Sequence, residues 1–315
     1  MGKVTLVTLL IVLSIRCFLI ESFTVSSLQM ESTLSENDKV LIDKTAYGIR
    51  LPVTVLDIPF TFDNIFGFKS YSSALQFPYK RLFGDEAGRN DVILLNHPLE
   101  TQKPLDKRSL ILSRIVGLPG DSIEIRGEDI NINGQGYLAS PSVVERYKVK
   151  LPAGYNLEHI IEEQDIRVYE QRIEKDTLVL SLNRYDAFVL KEMLPDTIRL
   201  IPFSLDSVQV YKFRIPERGK SVDLTDDNFV YYRQIISLEH NKENVVFEEG
   251  VLVIDGIKHG GAYTFGDDYY WVLSDNTENA LDSRYLGFIP FKNIIGKVRF
   301  IWYSKEKDHC FSKVE

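Results

Sequence analysis

The sequence predicts a mainly β protein: a β core preceded by an apolar N-terminal helix and interrupted by an inserted α+β segment. Three observations carry this. SIEIRGEDININ (122–133) alternates apolar and polar residues with period two, the pattern of a half-buried strand. Short apolar runs rich in β-branched and aromatic residues, VILLN at 92–96 and KVRFIWY at 297–303, read as further strands. Residues 140–250 differ, being denser in charge and mixing helical with strand spacing.

Taken in order, the first element is the run from Val4 to Ile20, broken only by Arg16. At 17 residues it is at the short end for a spanning helix, and Lys3 before it favours an N-terminus inside and an exported bulk. The expectation is a single-pass N-terminal transmembrane helix over 1–21. A cleaved secretory signal and a buried core helix are the alternatives; no A-x-A pattern follows to support cleavage. VLID at 40–43 is a strand, with Gly48 and Pro52 as punctuation. Residues 57–90, rich in Phe, Tyr, Ser and Gly, read as an aromatic loop or short strands. The stretch 111–135 reads strand, turn, strand, turn, strand. LEHIIEEQ (157–164) and RYDAFVLKEML (184–194) have helical spacing, while LVLSL (178–182) and IRLIPF (198–203) are strands. DNFVYYRQIISLEHN (227–241) places Phe229, Tyr232, Ile235 and Ile236 on one helical face. VVFEEGVLVIDG (245–256) is a hairpin, and β character returns at 269–276. The organisation expected is an anchor at 1–21, a first part of the β core at 22–136, an inserted second domain at 137–260 and a closing part of the core at 261–315.

Composition excludes several function classes. The formal charge of −8 argues against nucleic acid as a partner, since phosphate binding needs a positive surface. Five histidines show no paired metal spacing, and no HExxH, CxxC or Walker-type loop is present, so no metal and no cofactor are expected. Cys17 lies in the apolar run and Cys310 near the C-terminus, and they are not expected to pair.

Three stretches together resemble the bacterial type I signal peptidase family, membrane-anchored serine endopeptidases that remove signal peptides. SRIVGLPGDSIEI (113–125) is similar to the family's K-R-x-V-G-L-P-G-D. SDNTENALDSRYLGFIP (274–290), followed by IIGK (294–297), is similar to G-D-N-R-x-x-S-x-D-S-R-x-x-G-x-V-P and I-x-G-K. SSLQMESTL (26–34), followed by NDKVLI, is similar to S-x-S-M-x-P-T-L and G-D-x-V-L-V. IPERGKSVDL (215–224) and GGAYTFGDDYY (260–270) resemble members with an enlarged middle. The resemblance implies a signal-peptidase-type β core, signal peptides of exported proteins as ligands, and a place on the outer face of the cytoplasmic membrane with lipid contact through the N-terminal helix.

The departures fall on the chemistry. The family's dyad is a serine nucleophile and a lysine base, which works only if burial keeps the amine neutral. Here the nucleophile position is Gln29 and the base position is Ser113. A serine near the family's lysine is Ala280, and the motif's Arg and leading Gly are Thr277 and Ser274. Losing nucleophile or base costs on the order of 10⁶ in turnover. Scaffold positions persist: Arg114, Gly117, Asp121, Asp275, Asn276, Asp282, Ser283 and Arg284, with Asp282 and Arg284 expected as an ion pair behind the site. Ser27 falls where the family has an oxyanion-binding serine, and Met30 lines the same groove. The expectation is therefore a homologue without an intact dyad, binding peptides or accompanying an active signal peptidase. One alternative is an active endopeptidase with a relocated dyad, Ser26, Ser27 or Ser32 working with Lys107 or another lysine. Another is a structural or assembly role of the insert.

Overall fold

The computed structural model describes residues 2–57, 64–65, 68–127, 129–152, 154–174, 177–203, 210–278, 280–305 and 309–314. The chain opens with helix α1 (Gly2–Phe18) and passes straight into strand β1 (Ile20–Thr24). The sheet continues with β2 (Lys39–Asp43), β3 (Val92–Asn96) and β4 (Leu110–Gly117). After an excursion of about 150 residues it is completed by β15 (Tyr269–Leu273), β16 (Ile289–Pro290), β17 (Ile294–Tyr303) and β18 (Ser312–Lys313). Its order is β1-β2-β17-β3-β4-β15-β16, with β18 on β17, and the pairings are antiparallel.

All five residues of β3 are buried, because both faces of the sheet's centre are covered. Alternation sorts the side chains into two cores. One holds Met30, Leu34, Val40, Ile42, Leu94, Leu112 and Val298. The other holds Ile93, Leu95, Ile111, Ile115, Tyr270, Val272, Ile289 and Ile294.

The N-terminal run forms α1, 17 residues long, and among the described residues no helix is long and apolar enough to cross a membrane. Ile20, counted in the apolar run, is drawn into the sheet opposite Asp43. The run is not a buried core helix, since Val4, Leu6, Val7, Leu10 and Ile11 stay exposed.

Two short strand pairs follow, Ile49–Arg50 with Arg81–Leu82 and Thr54–Asp57 with Tyr71–Gln76. Part of the aromatic stretch, 58–63 and 66–67, lies outside the described residues. Beyond the GLPGD turn, where Gly120 takes φ +84, β5 (Ser122–Arg126) and β6 (Asp129–Ile132) form the alternating hairpin.

The middle of the chain packs as two clusters. In the first, β7 (Val144–Val149), β8 (Val168–Glu174), β9 (Thr177–Asn183) and β10 (Leu200–Pro202) make a four-stranded sheet. Helices α2 (Glu158–Glu163) and α3 (Arg184–Met193) accompany it, around Val149, Leu180, Leu182, Leu190 and Leu200. Asn183 caps α3 by accepting from the Asp186 amide at 2.7 Å. In the second, β11 (Val210–Arg214) joins β5. Helix α4 (Phe229–His240) and the strands β12 (Val245–Glu248), β13 (Val251–Ile254) and β14 (Ile257–Gly260) pack back on the sheet through Phe213, Tyr232, Ile236, Phe265, Trp271 and Phe288. Tyr232, Ile235 and Ile236 are buried on the expected face of α4, and Phe229 is half-buried at its start.

Candidate functional site

The three sequence boxes converge where β4 meets β15. Gln29 sits on a 3₁₀ turn, Leu28–Met30, whose Met30 plugs into the core while Leu28 stays exposed. The Asn276 amide donates to the Gln29 carbonyl at 2.9 Å, so the first and third boxes are joined directly. Ser113 lies mid-strand in β4, opposite Ile93, and is fully buried.

Arg114, one residue on, points to the other face of the strand. A charge in a run as apolar as LILSRIVG needs a partner, and Asp275 supplies it. Arg114 Nε donates to Asp275 Oδ1 at 2.9 Å and Nη2 to Oδ2 at 2.7 Å, with the side chains 3% and 2% exposed. Burial pulls the guanidinium pKa down, but hydrogen bonding and attraction from Asp275 outweigh this and leave it raised. Thr33 Oγ1 donates to Asp275, and Arg114 Nη1 donates to the Asn90 carbonyl at 2.9 Å. The pair thus ties all three boxes together.

Asp282 is fully buried and works as a local brace. It accepts from Arg284 Nε at 3.0 Å and Nη2 at 2.7 Å, and its Oδ2 also takes the Ser274 amide at 2.9 Å. Ser283 Oγ accepts from the Val272 amide at 2.8 Å. These residues hold the segment after β15. Asp121 accepts from the Leu118 amide at 2.7 Å and from Arg89 at 2.9 Å, fixing the GLPGD turn. At Gly117 a Cβ would meet the side-chain tips of Ile215 at 2.3 Å and Ile123 at 2.6 Å, which would have to shift to admit it.

Among the described residues of the boxes, Gln29 Oε1, Ser113 Oγ and Ser274 Oγ are buried without a hydrogen-bond partner. Native interiors leave few such groups. Ser27, half-buried just before the 3₁₀ turn, makes no side-chain cap bond, and Ala280 is half-buried. No lysine amine among the described residues is hydrogen-bonded to Ser26, Ser27, Ser32 or Ser113. Lys107, the base of a relocated dyad, instead pairs with Asp57 at 2.6 Å, and Ser32 Oγ donates to the Ser142 carbonyl. Among the described residues no group of three or more His, Cys, Asp or Glu side chains is placed to hold a metal.

The family described as signal peptidase, peptidase S26, matches residues 1–190 and 225–303. The chain belongs to this family. Signal peptidase I of Buchnera aphidicola subsp. Baizongia pistaciae (strain Bp) is 26% identical over 295 residues, covering 93% of this chain and 73% of that protein. Signal peptidase I of Rickettsia typhi (strain ATCC VR-144 / Wilmington) is 25% identical over 295 residues, covering 93% and 76%. Signal peptidase I of Haemophilus influenzae (strain ATCC 51907 / DSM 11121 / KW20 / Rd) is 25% identical over 302 residues, covering 95% and 68%. The chain is thus a homologue of signal peptidase I, in the family that processes signal peptides.

Within this signal peptidase frame, sequence reasoning missed how the start of β7 closes on the boxes. Val144 bridges Asn276 in parallel, its amide donates to the Asp275 carbonyl at 2.7 Å, and Thr277 Oγ1 donates to its carbonyl at 2.9 Å. Ser142 Oγ lies 2.9 Å from Thr33 Oγ1. Nothing local to SPSVV announces this. Beside it opens a cleft of about 530 Å³, on the Arg114 face of β4, lined among others by Tyr137, Glu145, Arg146, Leu273 and Asp275.

Proposed function

We propose that this S26 homologue binds the extended segment of a signal peptide without cleaving it, alone or beside an active signal peptidase. The observation that carries the reading is the pair of residues at the dyad positions. A carboxamide at Gln29 is a very poor nucleophile, and a hydroxyl at Ser113 cannot serve as its base. Gln29 Oε1 and Ser113 Oγ are both buried without a hydrogen-bond partner, which supports the absence of an assembled attacking pair at these positions. An extended peptide would add as a strand, the mode open sheet edges allow. The exposed apolar side chains of α1 support association of the chain with the outer surface of the cytoplasmic membrane. The insert at 137–260 would act as a second domain holding the third box.

The test is the double reversion Gln29→Ser with Ser113→Lys, assayed on a synthetic signal-peptide substrate beside a binding measurement on the unaltered chain. Micromolar binding without cleavage by the unaltered chain, and cleavage by the revertant, are expected. Turnover by the unaltered chain, or no affinity for the peptide, overturns the reading.

A further inference from the structure

The short ladder of Ile49–Arg50 with Arg81–Leu82 sets Arg50 directly opposite Arg81. Directly opposed residues of an antiparallel pair share a face, and like charges there repel. A carboxylate bound between them is the usual remedy, and among the described residues neither makes an ion pair with one. Arg50 Nη1 donates to Asn96 Oδ1 at 2.7 Å. Arg81 donates from Nε to Tyr79 Oη at 2.9 Å and from its other nitrogens to the Tyr47 and Ile294 carbonyls. Arg108, linked to the same Asn96 through its carbonyl at 3.3 Å, donates to the Lys103 and Pro98 carbonyls. Every acceptor is neutral. The nearby carboxylates are engaged elsewhere: Asp106 accepts from the Val53 and Thr54 amides and the Thr54 hydroxyl, and Glu100 from Lys103 and Ser109. Arg50 Nη2 is buried with no hydrogen-bond partner.

We propose that Arg50, Arg81 and Arg108 form a binding site for a phosphate-type oxyanion. Guanidinium forks match the geometry of phosphate oxygens, and a single anion here answers both the repulsion and the orphan donor. Burial and then repulsion from Arg81 push the Arg50 pKa down to about 10, with Asp106 only partly offsetting them. Two sources share the chemistry, free phosphate and the phosphodiester of an anionic lipid. The surroundings suit the second. Lys80 is exposed beside Arg81, between exposed Phe77 and Phe83.

The experiment compares thermal unfolding of the full chain in sodium phosphate and in sodium chloride at matched ionic strength, with Arg50→Gln and Arg108→Gln alongside. Phosphate also stabilises proteins generically by exclusion from their surface, so the variants define the site-specific part. The expected result is a rise in Tm about 2–4 °C larger in the unaltered chain than in either variant, once phosphate exceeds its Kd several-fold. Arg108→Gln keeps the comparison alive if Arg50→Gln does not fold. Flotation with pure phosphatidylglycerol and pure phosphatidylcholine vesicles separates the sources. Retention on phosphatidylglycerol that both variants lose assigns the headgroup; a phosphate shift without it assigns free oxyanion. Equal phosphate shifts in all three proteins overturn the proposal.

Discussion

Asp275→Ala is the substitution with the largest consequence that the site geometry predicts. The carboxylate accepts two bonds from Arg114, at 2.9 and 2.7 Å, and one from Thr33, in a place where neither member of the ion pair is more than 3% exposed. Removing it takes both carboxylate bonds from a buried guanidinium that also donates to the Asn90 carbonyl and the Thr33 hydroxyl. Breaking a buried pair from one side costs about 3–5 kcal/mol, and about 4 kcal/mol is nearly a thousandfold in the folding equilibrium. Because the pair also joins the three boxes, the signal-peptide affinity proposed above falls with it. Urea unfolding followed by tryptophan fluorescence reads the change, since Trp271 lies on β15 four residues before Asp275. The double variant Arg114→Met with Asp275→Leu removes the uncompensated charge and recovers most of the loss. A single-variant cost below about 1 kcal/mol, the range of solvated surface pairs, would refute the reasoning.

Burial raises the Glu100 pKa, but bonds from Lys103 and Ser109 outweigh it and hold the group down at about 2 against an ordinary 4.5. Its folded value lies below its unfolded one, so its contribution is complete above pH 4.5 and disappears as pH falls towards 2. Glu100→Gln accordingly flattens the acid limb of the stability profile in that window, and an unchanged slope there contradicts the assignment. Gly296→Ala sets a Cβ 2.4 Å from the Asp43 carbonyl oxygen, where β2 and β17 would have to spread. Gly117→Ala instead meets the flexible tips of Ile215 and Ile123. Calorimetry should rank Gly296→Ala as the more damaging, by about 1–3 kcal/mol; the reverse order shows that the β2–β17 contact yields more readily than its backbone geometry indicates.

The strands were legible wherever period-two alternation or a short buried run marked them, as in 92–96 and 122–132, and α4 announced its buried face through Tyr232, Ile235 and Ile236. The end of α1 was not, because apolarity alone does not say that Ile20 pairs with Asp43 rather than extending a helix. At the site, the residues were legible but their partners were not. Arg114 and Asp275 both stand inside flagged motifs, yet they are 161 residues apart, and only the fold brings them together. The signal that could have joined them is the isolated charge within LILSRIVG, which demands an opposite charge from somewhere. The opposition of Arg50 to Arg81 and the return of Val144 to Asn276 depend on register, which no local pattern encodes.

The adjacency of β4 and β15 reaches beyond the finished molecule. β4 leaves the ribosome long before its neighbour at 269–273 exists, so Arg114 and the flank of its strand wait through most of synthesis with neither ladder nor counter-charge. Bare flanks of this kind are templates for pairing with the wrong chain. The newborn polypeptide therefore has its most hazardous interval between the first core strands and the last fifty residues, and any helper that shields it has to act there.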